Sequence, residues 1–354
     1  MPTTALTVDN ELLSATSIEA AKEAKDVNHV TTPYLAEHAR IHGEGNPNKG
    51  SGHKWITSFQ TGGHSSPTKR RTGYEQMNLT FSGVLTPLVL TPAEVSFPIG
   101  ISSVEEDLNG GDLQTIELAS RRAKSVMNEA KRQFEQQMIK GSVAEFDDFN
   151  TLNGIDNSTQ GMLEHRAAGL QQNVIGGFNK ASFQSMPGTQ HQFADVGGSF
   201  NSSGLTSLNR VIIKAKARAL DDISKLSVFC SESAMENYKR TLQASERYII
   251  NSSDDAMDGT GMNLMINGVP AHVSTFMPND GANSTTNKAS FYLIDMASIY
   301  FAWSKVLRDG YFSMSDFEAV GNGYSVRVAE VLVRGQLMVD FWGSSALITN
   351  ADTF

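Results

Sequence analysis

The feature that most constrains the fold is a helical pattern that runs without glycine or proline from residue 112 to residue 140. Asp112 is an N-cap candidate that follows two glycines, and Gly141 stands where the helix should end. At a rise of about 1.5 Å per residue, such a helix is about 43 Å long. Apolar residues recur every three or four positions and form one narrow stripe, made of Ile116, Ala119, Ala123, Val126, Ala130, Phe134 and Met138. The pattern predicts a long strut that packs across a sheet.

Strand-like segments supply the rest of a mixed fold. Residues 262–276 have the pattern of a hairpin with Asn267-Gly268 as its two-residue turn. In residues 324–342, apolar positions alternate on both sides of Gly335, which we expect to separate two strands. Further strand-like runs cover residues 77–90, 93–102, 289–295 and 298–303, while helical patterns cover residues 208–225 and a segment that opens with the capping box Ser233-Glu236. The combination predicts an α+β fold.

About 70 N-terminal residues carry little that could build a core of their own, a length that a compact monomer rarely leaves without structure. We expect this segment either to be disordered or to lie on a neighbouring subunit. Lys69, Arg70 and Arg71 stand together near its end, in a chain whose formal net charge is −9. Three interpretations stay open: contact with nucleic acid, simple solvated charge, and docking on an acidic patch of another copy. The acidic balance argues against nucleic-acid binding as the main task.

Several segments resemble catalytic or metal-binding motifs, but each lacks a residue that its motif needs. Residues 45–51 have the glycine spacing of a phosphate-binding loop, but Lys49 precedes the second glycine, whereas a Walker motif needs the lysine after it. Residues 254–265 resemble a calcium loop that lacks two of its ligands. His38 and His42 have helical spacing, but no third ligand follows nearby. The sequence therefore predicts no enzyme, no cofactor and no metal site.

Cysteine content and hydropathy exclude two further classes. The single cysteine, Cys230, cannot form an intrachain disulfide and is expected to be a small buried hydrophobe. The N-terminus lacks the basic and apolar regions of a signal peptide. No apolar run approaches the length of about 18 residues that a membrane span needs. We therefore expect a protein made in a cytoplasm and without a membrane partner.

The order of these segments resembles that of the major capsid proteins of tailed bacteriophages, whose fold is shared with encapsulin shells. The likeness covers nearly the whole chain and rests on motifs that are individually weak but stand in the family's order. The motifs are the loop HKWITSFQTGGHSSPTKRRTGYEQ, the segment PLVLTPAEVSFPIGISSVEEDL that leads into the long helix, and then FNTLNGIDNSTQGMLEH, INGVPAHVSTFMP, SFYLIDMASIYFAW and VAEVLVRGQLMVDFWGSSALIT.

The resemblance implies the phage major-capsid fold, with an N-terminal arm, an extended loop, a peripheral domain built on a spine helix, and an axial domain. The implied bounds are 1–50 for the arm, 51–76 for the loop, 77–149 plus 304–345 for the peripheral domain with spine helix 112–140, 150–303 for the axial domain and 346–354 for a C-terminal tail. It also implies that a neighbouring subunit is contacted by the loop residues Lys69, Arg70, Arg71, Trp55 and Tyr74. The apolar stripe of the spine helix should pack within the peripheral domain. Some relatives cross-link a loop lysine to a neighbour's asparagine, but we expect no cross-link here.

By the same resemblance, the chain should assemble, first as a procapsid, into an icosahedral virion capsid of hexamers and pentamers in the host cytoplasm. The shell would enclose double-stranded DNA without sequence-specific contacts. Further partners would be scaffolding and portal proteins, with a decoration protein left open. The alternatives are an encapsulin-like compartment and, from another class, a monomeric binding protein or hydrolase.

Overall fold

The computed structural model describes residues 31–43, 53–63, 83–108, 112–154, 161–164, 173–196, 200–219, 225–241, 264–277, 289–304, 312–320 and 325–351. The α-helices within these ranges are α1 (Pro33–His42), α2 (Ser103–Leu108), α3 (Asp112–Lys140), α4 (Phe200–Lys216) and α5 (Glu232–Thr241). Two short 3-10 turns cover Ala144–Phe146 and Lys180–Phe183. None of the described helices is long and apolar enough to cross a bilayer.

Helix α3 confirms the long helix that the sequence predicts, with the same bounds. Gly141 ends the helix in a left-handed conformation with φ of 70°. Its backbone N–H donates to the carbonyl oxygens of Gln136 and Gln137, at 3.3 and 3.0 Å. Glycine is favoured there because the left-handed conformation is costly for residues with a Cβ atom.

The other two predicted helices need correction. Helix α4 begins at Phe200 and ends at Lys216, so it is displaced toward the N-terminus from the expected 208–225. Phe200 is fully buried and extends the buried side of the helix by two turns, which the shorter apolar pattern did not include. The cap of α5 is Ser231, whose Oγ accepts a hydrogen bond from the Ala234 N–H at 3.2 Å. Ser233 lies inside the first turn, so the expected capping box is not the one used.

A five-stranded antiparallel sheet is organised around β16 (Val326–Val339). One edge of β16 pairs with β3 (Ala93–Ser102), and the other edge pairs in turn with β13 (Ile299–Trp303), β14 (Ser313–Met314) and β15 (Glu318–Ala319). Gly335 lies inside β16, so the expectation that it separates two strands was wrong. A Cβ atom at this position would lie 2.3 Å from the Phe301 ring and 2.4 Å from the Ala302 carbonyl oxygen. The glycine therefore permits close approach of β13 instead of marking a turn.

A six-stranded mixed sheet consists of β8 (Gln192–Asp195), β9 (Leu226–Cys230), β10 (Leu264–Ile266), β11 (Val269–Val273), β12 (Ala289–Asp295) and β17 (Ala346–Thr349). Their order across the sheet is β10-β11-β9-β12-β17-β8. The predicted hairpin with Asn267-Gly268 at its turn is confirmed as β10 and β11, and both turn residues have positive φ, 52° and 73°. The remaining strands of the described residues form three small ribbons: β1 (Trp55–Gln60) with β2 (Leu85–Leu90), β4 (Thr151–Asn153) with β5 (Gly161–Leu163), and β6 (Val174–Ile175) with β7 (Phe178–Asn179).

Two hydrophobic cores follow from the two large sheets. The first packs α3 against the five-stranded sheet and includes Phe134 and Val331. The second packs α4 and α5 against the six-stranded sheet and includes Val211 and Phe291. Residues 299–303 join the five-stranded sheet, and residues 346–349 lie inside the six-stranded sheet.

Described N-terminal residues contribute to the first core, which corrects the expectation that the whole segment is disordered or lies on a neighbouring subunit. Tyr34 of α1 is fully buried, and Trp55 and Phe59 bury one side of β1. Their apolar side chains are few and widely spaced, so no local pattern marks them. Their partners include segments far along the chain, such as Phe229, whose ring centroid lies 5.7 Å from that of Tyr34.

Candidate functional site

Residues 55–60 of the expected extended loop form β1, which pairs with β2 in a ribbon here called the loop ribbon. Its strands pair antiparallel from Trp55 opposite Leu90 to Gln60 opposite Leu85. At the open end, the Thr61 N–H donates to the Val84 carbonyl oxygen at 2.8 Å. The loop-tip residues predicted to contact a neighbour lie between these two strands in sequence and outside the described residues: Lys69, Arg70, Arg71 and Tyr74.

The inner face of the loop ribbon is held by aromatic packing. Trp55 is only 4% exposed, and it belongs to the chain's own core. The Phe59 ring stacks on Trp342 with centroids 5.2 Å apart and lies 4.9 Å from Phe178. The Thr57 hydroxyl donates to Asp340 at 3.3 Å. These contacts fix the point from which the loop departs, and they give Trp55 the role of an internal anchor.

The outer face of the same ribbon is apolar and open. Ile56 is 56% exposed and Leu85 is 69% exposed. Because Ile56 pairs with Val89 and Leu85 with Gln60, alternation places these side chains on the face opposite Trp55 and Phe59. An exposed apolar strand face of this kind is typical of a surface that another chain covers.

A buried lysine lies beside the aromatic cluster that holds the ribbon. Lys180 is fully buried, its Nζ donates to the Met162 carbonyl oxygen at 2.9 Å, and the same atom lies 4.4 Å from the Trp342 ring centroid. Burial lowers the pKa of Lys180 to about 7, although nearby Glu164 acts in the opposite direction. No sequence pattern singled out this residue.

The burial of the predicted apolar stripe increases along α3 from its N-terminal half to its C-terminal half. Ala119, Ala123 and Val126 are half-buried. Ala130, Phe134 and Met138 are fully buried. The Phe134 ring meets Phe301 edge to face with centroids 4.8 Å apart, so the second half of the helix carries the packing. The side chain of Ile116 lies outside the described residues.

Glu135, on the same helix, was missed by the sequence analysis. Its carboxylate accepts hydrogen bonds from the backbone N–H groups of Tyr34 and Leu35, at 2.7 and 2.9 Å. These are the second and third residues of α1, where Thr32 makes no side-chain cap. Complete burial raises the pKa of Glu135 to about 8, against the effect of the two N–H donors. Glu135 thus caps a helix about 100 residues away in sequence, as the N-terminal orphan N–H groups require.

Helix α1 joins both large sheets through buried polar groups. The Glu37 carboxylate accepts a hydrogen bond from Ser227 of the six-stranded sheet at 2.5 Å and pairs with Arg40 at 2.7 Å. The His38 Nε2 accepts a hydrogen bond from the Phe301 N–H in the five-stranded sheet at 3.1 Å. Burial, together with neighbouring His42, lowers the pKa of His38 to about 3. The two histidines with helical spacing therefore hold the helix in place by hydrogen bonds within the protein, with His42 bonded to the Met296 carbonyl oxygen at 2.7 Å.

The chemistry of these groups is structural. In the part of the chain that the structure describes, no three His, Cys, Asp or Glu side chains stand close enough to hold a metal ion. Glu37, His38, Glu135 and Lys180 each bond to backbone or side-chain atoms of another segment of the chain. The arrangement holds the loop ribbon against the aromatic cluster of Phe178 and Trp342 and leaves the outer face of the ribbon exposed.

Comparison with known proteins identifies the fold. No protein-family model matches the sequence, and no curated protein matches it significantly. Among solved structures, the capsid asymmetric unit of cyanophage A-1(L) matches with a TM-score of 0.60 and 14% identity, covering 96% of this chain and 99% of that chain. The capsid of the native GTA particle matches with a TM-score of 0.58 and 12% identity, covering 95% and 98% of the respective chains.

An encapsulin shares the same architecture. The holo-SrpI encapsulin complex from Synechococcus elongatus PCC 7942 matches with a TM-score of 0.52 and 12% identity, covering 96% of this chain and 94% of that chain. These neighbours are structural shell proteins and not enzymes. The chain therefore has the α+β capsid fold of phage capsids and encapsulins, as the resemblance implied.

Proposed function

We propose that this protein is a major capsid protein, the structural subunit of an icosahedral shell. Its hexamers and pentamers would enclose double-stranded DNA in a virion, after assembly as a procapsid in the host cytoplasm. The observation that carries the proposal is the match of 96% of the chain to a phage capsid subunit at TM-score 0.60. Fold alone does not fix function. The loop ribbon adds independent support, because its open apolar face suits contact between copies.

The domain organisation is part of this proposal. The five-stranded sheet with α3 would form the peripheral domain and the six-stranded sheet with α4 and α5 the axial domain. Sheet membership suggests moving residues 299–303 to the peripheral unit and residues 346–349 to the axial one. The arm and loop would reach neighbouring subunits, and scaffolding and portal proteins would complete the assembly.

Particle contents test the proposal against its alternative. The encapsulin match favours a second candidate, a compartment that holds protein cargo. Full-length protein would be expressed with its neighbouring phage genes, and fast-sedimenting particles would be treated with nuclease before extraction. Nuclease-protected double-stranded DNA is the expected result. Particles that contain a folded enzyme and no protected DNA would contradict the capsid proposal and favour the compartment.

The loop tip is proposed to fasten neighbouring subunits through its three cations. Replacing Lys69, Arg70 and Arg71 by Glu should reduce particle yield, because reversed charges repel an acidic docking surface. Reversal of three cations of α3, Lys124, Lys131 and Lys140, makes the same net-charge change and is the matched control that should leave the yield unchanged. Particles from the triple variant at wild-type yield would remove the anchoring role and leave the shell proposal standing.

A further inference from the structure

One side of helix α4 carries a row of cations whose position is not explained by contacts among the described residues. The helix buries Leu208, Val211 and Ala215 against the six-stranded sheet. On the opposite side stand Arg210 and Lys214, followed by Arg218 in the turn after the helix. Successive cations are four positions apart, so the row is about 12 Å long. These three residues together with Ile213 are here called the basic helix face.

The three cations of the basic helix face have no ion-pair or hydrogen-bond partner among the described residues. Elsewhere in those residues, arginines are paired with carboxylates within the chain, as in Arg122–Glu105 at 2.9 Å and Arg132–Glu129 at 2.5 Å. The described part of α4 and the turn behind it contains no acidic residue. In a chain of net charge −9, an exposed and unpaired row of cations indicates a partner.

Exposed apolar side chains beside the cations indicate that the partner is a protein. Ile213 lies beside Arg210 on the exposed side of the helix, three positions further along, and is 63% exposed. The hairpin of β10 and β11 is tied to the same helix, because Lys216 donates to the Asn267 carbonyl oxygen, and it presents Met265 at 64% exposure. Contacts with a phosphate backbone are made by cations and do not account for exposed aliphatic side chains beside them. Apolar side chains surrounded by arginine are typical of protein interfaces.

A surface of opposite charge and similar apolar character occurs on the five-stranded sheet. It consists of Asp316, Glu318 and Glu330, here called the acidic strand patch, and all three side chains are exposed. The Ser315 N–H donates to the Glu330 carbonyl oxygen at 2.9 Å, and Glu318 pairs opposite Val328, so the three acids lie close together. None has an ion-pair partner among the described residues. Exposed apolar residues flank the patch: Met314 at 36% and Val320 at 39%.

We propose that the basic helix face of one copy binds the acidic strand patch of a second copy of this chain. The inference rests on the proposed shell function and adds to it a named contact outside the extended loop. The two surfaces belong to different sheets of one chain, so the contact is head-to-tail, the type of interface that repeats into rings. Opposite charges set register and orientation, and the apolar residues between them exclude water.

Charge reversal and charge exchange test this contact. The first variant carries Arg210→Glu, Lys214→Glu and Arg218→Glu, and the second carries Asp316→Lys, Glu318→Lys and Glu330→Lys. A third variant combines all six changes. A control reverses three cations outside the face and outside the extended loop, Lys124, Lys131 and Lys140, which matches the net-charge change of the first variant. Thermal unfolding followed by circular dichroism checks that each variant folds, and sedimentation velocity over a concentration series measures association of full-length protein.

Each reversal alone is expected to raise the concentration needed for association by about tenfold or more, while the six-fold exchange returns it to within about threefold of wild type. The control should associate like wild type. Three results would overturn the inference: wild-type association of the first variant, failure of the exchange to restore association between folded chains, or normal association with reduced nucleic acid in the particles, which would assign the face to DNA.

The shell proposal and this inference fail in distinguishable ways. Wild-type protein that forms dimers or small oligomers but no closed particle would count against the shell while the reversals still test the contact. Closed particles that form equally well with the first variant would count against the contact alone.

Discussion

The carboxylate of Glu135 is buried at the point where helix α1 meets the spine helix, and its protonation should be visible in stability. Its folded-state pKa of about 8 lies above the ordinary value of 4.5, so the folded protein binds the proton more tightly. This contribution to stability is complete at low pH and is lost as pH rises from 4.5 toward 8.

Glu135→Gln should therefore flatten the pH dependence of the unfolding temperature between pH 4.5 and 8. The amide keeps one acceptor oxygen for the α1 N–H groups and cannot ionise. Thermal unfolding across that range measures the effect as the difference from wild type. Glu129→Gln on the same helix is the control, since Glu129 is partly exposed and paired with Arg132. A variant slope equal to that of wild type would contradict the assignment.

Lys180 should give a pH dependence of the opposite sign. Its folded-state pKa of about 7 lies below the ordinary 10.5, so the unfolded chain binds the proton more tightly and stability rises as pH rises from 7 to 10.5. Lys180→Met, of similar length and apolar, should remove this rise while losing the hydrogen bond to Met162. Unfolding in denaturant at several pH values tests it, with the half-buried Lys140→Met as control. If the variant and wild type have the same pH profile, Lys180 keeps its proton in the folded protein and the lowered pKa is contradicted.

At the scale of single elements, Gly335 tests the continuous strand β16. Gly335→Ala should destabilise the protein by about 1–3 kcal/mol, because a Cβ atom would overlap the Phe301 ring and the Ala302 carbonyl oxygen. Gly100→Ala on the neighbouring β3 is the matched control, since the nearest atom to its Cβ would be 3.9 Å away. Denaturant unfolding gives both values. Equal stability of the two variants would mean that β13 does not approach β16 so closely.

The elements that could be predicted from sequence are those whose cause is local. Helix α3 was predicted with its bounds because one apolar period runs through it without interruption. The Asn267-Gly268 turn was predicted because those residues accept positive φ. Gly335 was misread because a local rule treats glycine as a break, whereas its cause is a ring on another strand. Helix α1 was missed because its cap, Glu135, comes from about 100 residues away, which no local pattern encodes.

At the scale of the whole molecule, the order of weak motifs predicted the fold better than any single motif did. Two features of the molecule could not be established from the order of the motifs. The basic helix face and the acidic strand patch become visible only when burial shows which charges stay exposed and unpaired. The tip residues Lys69, Arg70 and Arg71 lie outside the described residues, so their role as inter-subunit contacts stays a prediction.

The central claim is that this chain assembles with itself into closed shells. The measurement that tests it most directly is sedimentation velocity of purified full-length protein over a concentration series, with electron microscopy of every fast-sedimenting fraction. The account predicts discrete capsomer and particle boundaries and closed shells of uniform diameter. Folded protein that stays a monomer at every concentration, also when its scaffolding protein is added, would contradict it.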